Sequence, residues 1–188
     1  GSDGAFYLDC RGPPGLGQYS LTLFQGSSGF SIPSLYYVYF GLDRDGVWRG
    51  VYYPKAINDG SWHMLAGVFY ADLYTTSSPE KAVAVYVDGS KSTSPTSLQA
   101  GSGIAFDTWS NQPWYINYHR AWRNYGKGYV AMVLIYNRTL SDSEIQQIYA
   151  DPSNPPTDKL VLWLSWDSLD CANNKWWDKS GYNNHGTL

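Results

Sequence analysis

Charge is scarce in this chain. Lys, Arg, Asp and Glu make up 15% of its 188 residues, against about 25% in an average globular domain. Uncharged polar groups and tyrosine must therefore carry much of the surface. The net charge is -3, and no basic run is present. Nothing here would neutralise a phosphate backbone, so nucleic acid is not expected as a partner. Long apolar runs are also missing. None reaches the roughly 18 residues a membrane helix needs, so no membrane span is expected.

Chemically versatile side chains are few. Glutamate occurs only at Glu80 and Glu144. Hydrolysis of a glycosidic bond ordinarily requires two carboxyl groups facing each other across it. Glu80 follows Ser-Ser-Pro in a loop, and Glu144 belongs to a helix cap. Asp43 and Asp45 flank a turn, where Asx chemistry accounts for them. There is no Gly-x-Ser-x-Gly elbow, phosphate loop or Cys-His nucleophile pair. The expectation is a binding protein, not an enzyme. The three histidines, His63, His119 and His185, are scattered. The two cysteines, Cys10 and Cys171, match no zinc-ligand spacing. They are either two buried thiols or one disulfide, and the extracellular character of the composition favours the disulfide.

Periodicity is what the chain does have, and its dominant period is two. "AVAVYVDG" sets Val83, Val85 and Val87 against Ala82, Ala84 and Tyr86. "SWHMLAGVFY" and "LYYVYFGL" are likewise rich in aromatic and β-branched residues. Asp45-Gly46, Asp59-Gly60 and Asp88-Gly89 supply the positive φ angles of tight turns. Short strands at this spacing predict an all-β, antiparallel sandwich. One helix stands out. Ser141 and Glu144 form a capping box, Ile145, Ile148 and Tyr149 share a face, and Asp151-Pro152 ends it. The Pro-rich stretch 151–159 reads as a linker, and "LVLWLSW" after it as an apolar strand. The organisation expected is a sandwich body over 1–150, that linker, and a terminal segment over 160–188.

The richest binding candidate is "DTWSNQPWYINYHRAWRNYGKG". It offers Trp109, Trp114, Tyr118, Trp122 and Tyr125 as rings, with His119 and Arg123 interleaved. Aromatic faces stack on the C–H faces of sugars while a few polar groups bond the hydroxyls. The competing expectation is packing or a subunit contact, since Trp114, Ile116 and Tyr118 alternate as one face of a strand would, and aromatics with Arg also mark interfaces. Asn137-Arg138-Thr139 is a glycosylation sequon on a surface turn.

"NDGSWHMLAGVFY" with "AVAVYVDG", and "VLIYNRTLSDSEIQQIY" with its turn and helix, resemble the signatures of laminin G-like domains of the concanavalin A-like jelly-roll family. The resemblance implies a jelly roll, an extracellular or cell-surface location and a polysaccharide or glycan partner. In that family an apolar strand and a stretch similar to "DKSGYNNHGTL" come first, followed by one similar to "GAFYLDCRG". Here the order is inverted, so the first strand is supplied from the C-terminus. The segment 160–188 would then close its own sandwich, enter the next copy to build a homopolymer, or open the next of several tandem repeats. An open jelly roll would expose a long apolar edge, so the fold needs the segment. In this frame a Cys10–Cys171 bond would staple the permuted strand. The family also implies calcium, for which Asp178, Asn183 and Asn184 are the candidate ligands. One departure is "YVAMVLIY", with Ala131 and Met132 where the family carries an acidic pair. Both faces of that strand are apolar, which favours cover on both sides and therefore assembly.

Overall fold

The computed structural model describes residues 8–9, 24–25, 37–44, 47–73, 79–92, 114–119, 124–126 and 128–188. The chain forms two compact units, Gly1–Lys127 and Gly128–Leu188.

In the first unit the strands are β1 (Leu8–Asp9), β2 (Phe24–Gln25), β3 (Tyr37–Arg44), β4 (Val47–Ala56), β5 (Leu65–Phe69), β6 (Val83–Val87), β7 (Ser90–Lys91), β8 (Tyr115–Ile116), β9 (Tyr118–His119) and β10 (Asn124–Tyr125). All described pairings are antiparallel. One sheet runs β2-β3-β4 and another β5-β6-β7. They pack through Val38, Phe40 and Val51 on one side and Val83, Val85 and Val87 on the other, all buried. Turning a half-exposed strand this way leaves one face outside. Here the second face of β6 is covered too, since Ala82, Ala84 and Tyr86 are also buried. The Tyr86 hydroxyl meets that of Tyr70 at 3.1 Å, and the Lys91 ammonium lies over both rings. On β5, a Cβ at Gly67 would overlap the Phe40 ring, so glycine is required for the two sheets to approach.

The second unit holds β11 (Met132–Tyr136), α1 (Asp142–Ala150), β12 (Leu160–Ser165), β13 (Leu169–Asp170), β14 (Lys175–Trp176) and β15 (Gly186–Thr187). α1 begins as expected. Ser141 Oγ accepts from the Glu144 N–H at 3.3 Å, and Glu144 Oε2 accepts from the Ser141 N–H at 2.9 Å. Ile145 and Ile148 are buried, but Tyr149 is half exposed. The buried stripe of this short helix is only two residues wide. Arg138 holds the helix start, donating to Glu144 Oε2 at 3.0 Å.

β12 pairs with β11 of the same chain, from Met132↔Ser165 to Tyr136↔Leu160, with an irregularity at Ile135/Tyr136. The intervening stretch 151–159 is held at several points. Pro155 is buried. The Tyr136 hydroxyl donates to the Pro156 carbonyl at 2.8 Å, Arg138 Nε to the Asp158 carbonyl at 3.0 Å, and Gln147 Nε2 to the Asn154 carbonyl at 3.3 Å. Burial keeps Tyr136 a donor by pushing its pKa up to about 12. Of the strand residues expected to be covered on both faces, Val133, Leu160 and Leu164 are buried, while Met132, Leu134, Leu162 and Trp163 are half-buried.

Cys171 opens a short turn, Cys171–Asn173, at the surface and carries a free thiol. The expected Cys10–Cys171 bond thus finds no support, and Cys10 lies outside the described residues. No described helix is long and apolar enough to cross a membrane.

Candidate functional site

The aromatic region begins where β8 ends. β8 pairs with β1, matching Leu8 to Ile116, whereas β9 pairs with β10, matching Tyr118 to Tyr125 and His119 to Asn124. Asn117 makes this change of partner possible. Its φ is 60°, in the left-handed region that Asn tolerates better than most residues. Its side chain donates to the Gly126 carbonyl at 3.1 Å, and the Gly126 N–H donates back to the Asn117 carbonyl at 2.9 Å. This bend breaks the expected alternation. Tyr118 does not continue the face of Trp114 and Ile116, but meets Tyr115 edge-on at 5.5 Å. It also meets Tyr125, its cross-strand partner, at 4.9 Å.

The hairpin thus presents a three-ring cluster with unequal exposure. Tyr115 and Tyr118 are half-buried, Tyr125 is 79% exposed, and Trp114 is 36% exposed. Of the expected sugar contacts, Tyr118 and Tyr125 meet here, and Trp114 directly precedes Tyr115 in the chain. The His119 backbone lies in β9 beside them. Trp109, Trp122 and Arg123 lie outside the described residues. Tyr115, one of the aromatics of this stretch, joins the cluster, and Asn117 is an addition that ring counting passed over. The signal for Asn117 was an Asn isolated between two strand-like pairs.

The terminal turn is built around Asp178. Its Oδ1 accepts from the N–H groups of Trp163 at 2.8 Å and Ser180 at 2.9 Å. Its Oδ2 accepts from the Ser180 hydroxyl at 2.7 Å and the Asn184 N–H at 2.9 Å. Partial burial pushes this carboxyl up, but those donors outweigh it and hold its pKa below the usual value. The Asn184 amide donates to the Val161 carbonyl at 2.8 Å, and Asn183 takes a left-handed φ of 60°. A calcium ion takes six to eight oxygens. Here a single carboxylate already faces four donors, an arrangement suited to an Asx-rich hub and a poor fit to a cation. Among the described residues no three His, Cys, Asp or Glu side chains converge as a metal set.

A second constellation joins the loop before β5 to the turn after β6. His63 Nδ1 lies 2.8 Å from Asp88 Oδ2, and Nε2 lies 3.0 Å from Asp59 Oδ1. With a carboxylate at each nitrogen the ring favours both protons, and Asp88 foremost raises its pKa. Asp59 is held down to about 2, first by the Ser61 N–H and then by His63. Asp88 Oδ1 also accepts from the Met64 N–H at 3.0 Å. The His63–Asp88 pair thus clamps the Trp-His segment to the Val-Asp-Gly turn.

Those two segments lie inside the stretch that decides the family. The model for the concanavalin A-like lectin/glucanases superfamily, of laminin G-like type, matches residues 13–146. The chain belongs to this superfamily. The antiparallel β-sandwich with one described helix agrees with its jelly-roll fold. The match ends inside α1, so β12 and everything after it lie beyond its reach. No curated protein and no solved structure matches the chain. As a concanavalin A-like domain it carries, in addition, an exposed sequon. Asn137 sits on the turn after β11, where its N–H donates to the Lys159 carbonyl at 2.9 Å.

Proposed function

We propose that the chain is a non-catalytic, extracellular carbohydrate-binding module whose ligand lies on the hairpin 114–126. The carrying observation is the ring cluster, in which Tyr118 lies beside its cross-strand partner, the 79% exposed Tyr125, at 4.9 Å. A ring held by such a neighbour loses less freedom when a sugar stacks on it. Superfamily membership supports the reading, since such domains often bind carbohydrate. Trp122, His119 and Arg123 are assigned to the same bed.

The test is a glycan array followed by titration. Tyr125→Ala and Trp122→Ala should each weaken binding about tenfold or more while leaving the melting temperature unchanged. Undiminished binding by both variants would remove this hairpin as the site.

The segment 160–188 is assigned to closing its own sheet, not a neighbour's. The pairing of β12 with β11 in one chain supports this, as does the anchored 151–159 stretch. Light scattering over a dilution series should give one mass near 21.1 kDa. A large mass that persists on dilution would favour donation to the next copy.

A further inference from the structure

We infer that the C-terminal unit carries a second carbohydrate-contact site, centred on Trp177 and selective for neutral sugar rings. It rests on the reading of the chain as a carbohydrate-binding module but uses none of the same residues. Trp177 is 43% exposed. Its ring is held by His185, edge-on at 4.7 Å. Its indole N–H points to Asp170 Oδ2 at 3.4 Å. A flat apolar surface fixed in this way is the element that stacks on the C–H face of a pyranose.

The groups around that ring suit hydroxyls. Asp170 accepts from the Asn173 N–H at 3.2 Å and from its amide at 2.8 Å. These bonds fix the carboxylate and leave it lone pairs for a ligand donor. His185 Nδ1 accepts from the Asp178 N–H at 3.1 Å, which places the ring proton on Nε2. That Nε2–H has no partner among the described residues. A donor on His185 and an acceptor on Asp170 thus flank an exposed indole, which is the pairing a ring bearing several hydroxyls requires.

Charge decides the ligand class. Of the two nearby lysines, Lys179 is occupied by Asp167 at 3.0 Å, with its ammonium also over the Trp163 ring, and Lys175, opposite Asp170 in the β13–β14 ladder, makes no ion pair with it among the described residues. The group left uncompensated at the site is the Asp170 carboxylate. A neutral polysaccharide is therefore favoured over a sulfated or uronic one.

The experiment is native gel retardation of the full chain in soluble neutral polysaccharides (a mixed-linkage glucan, a xyloglucan, a galactomannan) and in alginate. Trp177→Ala should reduce retardation by the neutral polymer that binds about tenfold. Trp177→Phe should restore part of it, and Asp170→Asn should weaken it with the melting temperature unchanged. Loss in Trp177→Ala with retention in Tyr125→Ala upholds this site and removes the hairpin. The opposite result removes this site and leaves the hairpin reading intact. Partial loss in each upholds both. Retardation by alginate alone, or by no polymer, overturns the inference.

Discussion

Removing the His63 imidazole tests the electrostatic logic of the first unit. The ring bridges two carboxylates, but the two contacts differ in worth. Asp59 is half exposed, so water replaces its bond readily and little stability rests on it. Asp88 is less exposed, at 23%, and the imidazole facing it is only 10% exposed. A hydrogen bond between charged groups in such a place contributes about 2 kcal/mol. His63→Ala should therefore lower stability by about 2 kcal/mol at pH 6. The pH dependence follows from the sign. The folded-state pKa lies above the ordinary value of 6.5. Its contribution is thus fully present below about 6.5 and fades as pH rises through the raised value. Chemical denaturation of both proteins between pH 5 and 9 would show the wild type losing its advantage on the alkaline side. Parallel profiles would refute the clamp. So would an imidazole that titrates at its ordinary value by NMR.

Gly67→Ala should destabilise by about 1–3 kcal/mol, because the new methyl group must displace the buried Phe40 ring; thermal melting reads this directly. Glu144 is held down to about 2 by Arg138 and then by the Ser141 N–H. Its contribution is present above the ordinary value of about 4.5 and is lost as pH falls toward 2. Glu144→Gln should therefore cost about 1 kcal/mol at pH 7 and flatten the acid limb of the melting profile. Millimolar calcium should leave the melting temperature unchanged, since the Asp178 oxygens already face four donors; a clear rise would show that a cation competes with them.

Much of this fold was legible in the sequence where a short-range rule applied. Strict alternation located β6, and Ser141 with Glu144 placed the start of α1 to the residue. Period two could not reveal that β6 is buried on both faces. Tyr70, just after β5, and Lys91, on β7, come over Tyr86 when those two strands pair with β6. The aromatic hairpin was found by composition but misjudged in geometry. A single left-handed residue, Asn117, turned an apparent strand face into a bend, and left-handed φ at an Asn is permitted by sequence, not dictated by it. The 151–159 stretch shows the converse. Proline content suggested a spacer, yet Pro155 is buried and Pro156 accepts a hydrogen bond from a strand residue outside the stretch.

The anchoring of that stretch has a kinetic consequence. The β11–β12 ladder spans α1 and the anchored 151–159 stretch, so it closes over an ordered connection and at a lower cost in entropy than a free loop of that length would impose. Once it has formed, passing β12 to another molecule requires the Tyr136, Arg138 and Gln147 bonds to open together with the strand ladder. Exchange between folded copies is then limited by local unfolding, and chains that meet only after folding stay separate.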